Sequence, residues 1–212
     1  MTRSTTSRTL VIIAFSIVIV ALLGALLLCW SALRSNSISN DDARHVSGRN
    51  TTAPTPSHAD ATGAEDGALP EGASLDDDLP GITNLDPDLI AALRAAESDA
   101  NEEGITIVIN SGWRSAEYQQ VLIDEAIVTY GSWQEASRWV ATVEGSAHVL
   151  GEAVDIGGYD AAEWLQEHGA QYDLCQIFDN EAWHFELRPG ASMEGCPRLY
   201  YDASEDPRNQ AS

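Results

Sequence analysis

The chain has 212 residues, 44% of them hydrophobic, which leaves room for one ordinary folded domain with accessory segments. Its 33 acidic residues against 11 basic ones leave a formal charge of −22, and every basic residue is an arginine. That balance excludes a nucleic-acid partner, because phosphate contacts need a basic surface, and the absence of lysine excludes the serine peptidases that require one beside their nucleophile.

In chain order, the first element is an uncharged apolar run from Leu10 to Leu33. About 20 apolar residues suffice to cross the hydrocarbon of a bilayer, whereas the apolar part of a cleaved signal spans about 7–15. The run therefore reads as an uncleaved transmembrane anchor over residues 10–33, with a cleaved signal as the alternative. Arg3 and Arg8 precede it, so residues 1–9 form a cytoplasmic tail and the chain beyond Arg34 lies outside. The expected location is the cell membrane, crossed once. Residues 34–80 are rich in Ser, Asn, Asp, Thr, Gly, Pro and Ala, with few large apolar side chains, and read as a disordered, flexible linker. A coil of that size reaches roughly 35–40 Å. His45 and His58 fall in this tether, a poor place for a fixed site.

From residue 81 to 212 the pattern is that of a folded domain. Asp86-Pro87 starts a helix that runs to a stop at Gly104, and ITIVINS (105–111) is a buried strand. Ser115 caps a second helix ending at Gly131, and Ser132 caps a third spanning 133–145. A short strand over Ala153–Ile156, a helix over 160–169 and two closing strands, DLCQIF (173–178) and EAWHFEL (181–187), complete the set. Helices and strands mix without regular βαβ alternation, which predicts an α+β fold with a small antiparallel sheet flanked by helices. Cys175 and Cys196 lie in the exported part, and two cysteines in an oxidising compartment pair as a disulfide.

The residues with chemistry lie in three segments. In GSAHVLGEAVDIGG (145–158), His148 and Asp155 are seven positions apart, and an odd spacing on one straight strand puts side chains on opposite faces. A turn at Gly151 is needed for both to aim inward as metal ligands. A catalytic zinc takes three protein ligands and leaves the fourth position to water. The third ligand is then His184, a polar residue in an otherwise apolar strand, and Glu181, three residues earlier, stands where a general base belongs. Each residue alone has a plainer reading: a hydrogen-bonded turn histidine, an aspartate satisfying turn amides, a core histidine and a solvated glutamate. His168, beside Gly169, reads as a partner of its helix dipole.

Together, SGWRS (111–115), SAHVLGEAVD (146–155) and NEAWHFE (180–186) resemble the VanY-type D-alanyl-D-alanine carboxypeptidases, zinc peptidases of the bacterial cell wall related in fold to the lysostaphin and hedgehog metal domains. The resemblance covers about residues 82–208. It implies Zn2+ on His148, Asp155 and His184, Glu181 as catalytic base and Arg114 as the cation facing the developing oxyanion. Ser146 and Gln119 match positions that contact the peptide terminus. Ala182 stands where the family usually has proline, and the hairpin before this strand is short. The expected protein is a monomeric, membrane-tethered metallopeptidase trimming the terminal D-alanine from peptidoglycan stem peptides. A wall-binding module with a non-catalytic metal site, or an endopeptidase or dipeptidase, are the alternatives.

Overall fold

A computed structural model of the protein describes residues 62–210. The expected cytoplasmic tail, the transmembrane run and most of the expected linker lie outside these residues. Among the described residues, no helix is long and apolar enough to cross a membrane.

The folded domain includes more of the chain than the composition predicts. Residues 62–80, expected to end the linker, pack on the domain: Ala73 and Leu75 are buried, and the Ile109 amide donates to the Ala73 carbonyl at 2.8 Å. The linker therefore cannot extend to residue 80. The segment contributes apolar side chains of its own, Leu69 and Leu75, to the core, and its Asp66 carbonyl accepts from the Ser115 amide at 2.8 Å.

Two helices follow, α1 (Pro80–Thr83) and α2 (Pro87–Glu102). Asp86 caps α2 by accepting from the Asp88 amide at 2.8 Å, and Pro87 occupies the first turn, where its missing N–H costs nothing. Leu89, Leu93, Ala96 and Ala100 recur at helical spacing and form its buried stripe. The helix ends before Gly104 with the amide of Ile105 donating back to Ala100 at 2.9 Å, the bond pattern of a Schellman cap.

Strand β1 (Val108–Ser111) and helix α3 (Ala116–Tyr130) come next. Ser115 caps α3 through the Tyr118 amide at 2.9 Å, as expected. The third helix is much shorter than 133–145: α4 covers only Trp133–Ala136, capped by Ser132. The β-branched Val140, Thr142 and Val143 disfavour continuation, and the Thr142 amide is satisfied instead by the side-chain oxygen of Asn209 at 3.1 Å.

The chain then forms the one-turn helix α5 (Ala147–Leu150), strand β2 (Ala153–Gly157), helix α6 (Tyr159–His168), strands β3 (Leu174–Gln176) and β4 (His184–Leu187), and the short helix α7 (Ala191–Glu194). The four strands make one antiparallel sheet in the order β1-β2-β4-β3, so the expected α+β architecture is present. Register decides the two faces. Asp155 lies opposite His184 and Val154 opposite Phe185. With side chains alternating along each strand, Val154, Ile156 and Phe185 enter the core against α2 and α6, joined there by Ile109 and Leu174. Asp155, His184 and Glu186 take the other face. A disulfide joins Cys175 in β3 to Cys196 beyond α7.

Candidate metal centre

His148 sits on α5, a helix of one turn that two residues define. Ser146 caps its start, accepting from the Val149 amide at 3.4 Å, and Gly151 ends it with φ +75°. At that position a Cβ would also come within 2.5 Å of the Asn84 carbonyl oxygen, so only glycine fits. This reversal sends the chain into β2 and brings Asp155 beside His148, the geometry that their seven-residue spacing requires.

Three donor atoms converge. His148 Nε2 lies 3.2 Å from His184 Nδ1 and 3.4 Å from Asp155 Oδ1, and His184 Nδ1 lies 3.2 Å from the same oxygen. Zinc bonds of about 2.0–2.1 Å in a tetrahedral arrangement place neighbouring donors about 3.3–3.4 Å apart, so the trio fits the edges around such an ion. The outer ring nitrogens establish which atoms carry lone pairs. His148 Nδ1 is 2.8 Å from the Gly112 carbonyl, which can only accept, so that nitrogen holds the proton and Nε2 presents its lone pair inward. His184 Nε2 donates to Glu186 Oε1 at 3.1 Å, which leaves Nδ1 facing the centre. A carboxylate on the far nitrogen of a ligating histidine fixes the ring and raises its basicity.

Asp155 is held in the same way. Arg114 Nη2 binds its Oδ2 at 2.9 Å and leaves Oδ1 for the centre. Arg114 is itself steadied by Ser111 Oγ at 2.9 Å from Nε and by Gln119 Oε1 at 3.3 Å from Nη1. Gln119 was expected to touch substrate. It lines the cleft, almost fully buried; its Oε1 accepts from Arg114 and one N–H of its amide nitrogen donates to the Ala141 carbonyl at 2.9 Å, so it also supports Arg114. Ser146 is also buried, on the wall of the cleft.

The charges follow from these contacts. Burial opposes ionisation of Asp155, but the two histidines and Arg114 hold its carboxyl well below the usual range. Burial lowers the pKa of His148, and the Arg114 charge adds to this. With no cation present, burial also opposes protonation of His184, yet its hydrogen bonds to Asp155 and Glu186 prevail and push it up to about 9. A cation that binds there displaces a proton, as is usual at metal sites.

Glu181 stands in the turn before β4 rather than on the strand, with Oε2 4.0 Å from His184 Nδ1, beside the donor trio but outside it. Burial raises its pKa to about 7. All these groups line one open cleft, whose rim carries Trp139, Trp183 and Asn209. His168 behaves as expected, its ring nitrogen 3.0 Å from the Trp164 carbonyl in the last turn of α6.

Glu186 and Arg208 were not singled out by the sequence. Glu186 had a signal, since it lies two residues beyond His184 and therefore on the same face of the strand. Arg208 had none. It sits in the irregular C-terminal segment and reaches the site only through tertiary folding.

The description "D-alanyl-D-alanine carboxypeptidase", that of the VanY family model, matches residues 82–190, just over half of the chain. A protein of that name from Enterococcus faecalis is 27% identical over 127 residues, covering 48% of this chain and 46% of that protein. The chain thus spans about half the length of this curated relative. Similar solved structures include a mutant of the vancomycin resistance D,D-pentapeptidase VanY from a VanB-type cassette, in complex with Zn(II), at 26% identity and TM-score 0.46, covering 49% of this chain and 72% of the other. VanYB in complex with D-alanine-D-alanine is 23% identical at TM-score 0.48, covering 52% and 78%. DacB from Streptococcus pneumoniae D39 is 26% identical at TM-score 0.45, covering 52% and 70%. On the extent of the family match, this chain belongs to the VanY family of D-alanyl-D-alanine carboxypeptidases.

Proposed function

We propose that the protein is a zinc-dependent D-alanyl-D-alanine carboxypeptidase that removes the terminal D-alanine from peptidoglycan stem peptides. The observation that carries this reading is the trio of donor atoms 3.2–3.4 Å apart, each pinned from behind, with a buried glutamate next to it. His148, Asp155 and His184 hold the ion. Bound zinc supplies Lewis acidity, enough to bring the pKa of a water to about 7.

The chain's own residues divide the remaining work. Glu181, buried beside the donor trio, takes a proton from the attacking water and returns it to the amine nitrogen of the departing D-alanine. Arg114 has five N–H groups, and its three bonds to Ser111, Gln119 and Asp155 leave one N–H on each terminal nitrogen for the oxyanion that forms at the scissile carbonyl. Those bonds also hold the guanidinium still, so little reorganisation is needed as charge develops. Ser146, on the cleft wall, is placed to meet the peptide terminus. A purely structural metal site has no use for a buried carboxylate beside the ion, which favours catalysis over a wall-binding role.

The apolar run over residues 10–33 anchors the domain in the cell membrane, with residues 1–9 in the cytoplasm and the cleft outside. Fractionation of cells, followed by protease treatment of intact protoplasts, tests this. An intact domain in the soluble fraction counts against it.

The activity itself is tested by incubating the zinc-loaded chain with defined stem pentapeptides and tetrapeptides and following the products by mass spectrometry. Release of a single D-alanine from the pentapeptide is expected. A pentapeptide left whole by chain carrying stoichiometric zinc, or cut only at an internal bond, rules the carboxypeptidase reading out.

A further inference from the structure

We propose that Arg208, in the C-terminal segment beyond the family match, is a positioning residue for the metal centre, orienting His184 through Glu186. The inference rests on His184 being a metal ligand, as argued above.

Glu186 has no exposed surface, and one of its oxygens, Oε1, accepts from His184 Nε2 at 3.1 Å. Arg208 grips the same carboxylate with both arms of its guanidinium: Nη2 donates to Oε1 at 2.8 Å and Nη1 to Oε2 at 3.0 Å. A two-point contact fixes the plane of a carboxylate as well as its position. Arg188 also binds Glu186, at 2.6 Å, but only through Oε2, the oxygen that does not touch the histidine. The two arginines therefore offer similar charge and different geometry. Only Arg208 contacts the oxygen that orients the ring.

Most of Arg208 is committed to carboxylates: its Nε and one Nη2 N–H donate to Asp206 Oδ2 at 2.9 and 2.5 Å, so with the two bonds to Glu186 four of its five N–H groups are used. The segment that carries it is fastened along its length. Cys196 is tied to Cys175, the register partner of Glu186. The Tyr200 amide donates to Ile177 at 3.0 Å, Asp202 accepts from Arg138 at 2.8 Å, and Asn209 accepts from the Thr142 amide at 3.1 Å. These attachments fasten the segment along the face of the sheet that carries Glu186, from β3 to the cleft, and end at Arg208 behind a metal ligand.

The test uses the full chain and two readings: zinc affinity by competition with a chromogenic chelator, and the visible spectrum of the cobalt(II)-substituted protein, which reports ligand geometry. Arg208→Gln is expected to weaken zinc about 10–100-fold, the usual cost of losing an outer-shell partner, and to alter the cobalt spectrum. Arg188→Gln is expected to change affinity less than threefold, and Arg208→Lys, with its charge but not its fork, to recover only part of the loss. In a Glu186→Gln background, Arg208→Gln should add little. Parental affinity and spectrum in Arg208→Gln, equal losses in Arg188→Gln and Arg208→Gln, or fully additive losses with Glu186→Gln would each overturn the proposal. Should Arg208→Gln fail to fold, Arg208→Lys decides, because parental behaviour there removes any role for the fork. A parent chain that takes up neither zinc nor cobalt overturns the metal reading itself, and this proposal with it.

Discussion

The two faces of the four-stranded sheet obey opposite rules. On one, Val154, Ile156 and Phe185 meet α2 and α6 in a continuous apolar core, where any side chain of similar volume and shape preserves most of the stability. On the other, Asp155, His184 and Glu186 sit among Arg114, Arg188 and Arg208, and nearly every contact is a charge-assisted hydrogen bond with one acceptable geometry. Neighbouring residues of the same strands supply both faces. The apolar side holds the strands in register, and register in turn sets Asp155 opposite His184. The core is thus a condition of the metal site, while the metal site contributes little to the core. Buried ion clusters tend to specify arrangement more than they stabilise it.

This asymmetry can be broken at several points. The largest effect belongs to the ion: stripping it with a chelator should abolish peptide hydrolysis while circular dichroism keeps the folded spectrum, and adding zinc should restore the activity. A chelator that unfolds the chain would show that the two faces are not separable.

Next comes Glu181→Gln, which leaves the donor trio intact. The expected fall in kcat is about 100- to 10,000-fold, with zinc affinity, read by chelator competition, within a few-fold of the parent. On the other face, Phe185→Ala removes a fully buried ring and should cost about 3–5 kcal/mol in denaturant unfolding. Zinc stoichiometry measured at low denaturant should stay at one. Loss of metal in that variant below its unfolding transition would mean that register depends on more than the core.

The smallest effects come from pH. Glu186, with its carboxyl held below the usual range by His184 and Arg208 against the cost of burial, supplies stability that is present above the unfolded value near 4.3 and is lost as pH falls below it. His184 has the opposite sign. Its pKa of about 9 in the cation-free protein exceeds the unfolded value near 6.5, so its contribution is complete below 6.5 and disappears as pH rises through 9. The contributions of Glu186 and His184 to the chelator-treated protein should therefore be present together between about pH 5 and 6.5. Zinc affinity should move the other way over pH 6.5–9, because the ion competes with the His184 proton. Melting curves and calorimetric titrations at several pH values check both slopes. The base role proposed for Glu181 requires the ionised carboxylate, and a dication beside it lowers its pKa from the value of about 7 that burial sets in the cation-free protein, so kcat/KM should fall with acid at a pH below 7.

Much of this was legible in the sequence, and the reasons are local. Asp86, Ser115 and Ser132 cap their helices because a side-chain oxygen needs only the amides two or three residues ahead. Gly151 had to turn the chain for His148 and Asp155 to meet, and it does so in the one backbone region that glycine enters freely. Those features marked the helix starts and the turn, and with the three family-like segments they pointed to the ligand candidates. Tertiary structure alone decided that residues 62–80 belong to the domain, that Gln119 supports Arg114, and that Arg208 closes on Glu186. In each case the deciding contact joins groups far apart in the chain: Ala73 with Ile109, Gln119 with Ala141, Arg208 with Glu186. Such pairings are set by how the sheet and its flanking segments pack, and no local propensity or spacing encodes them.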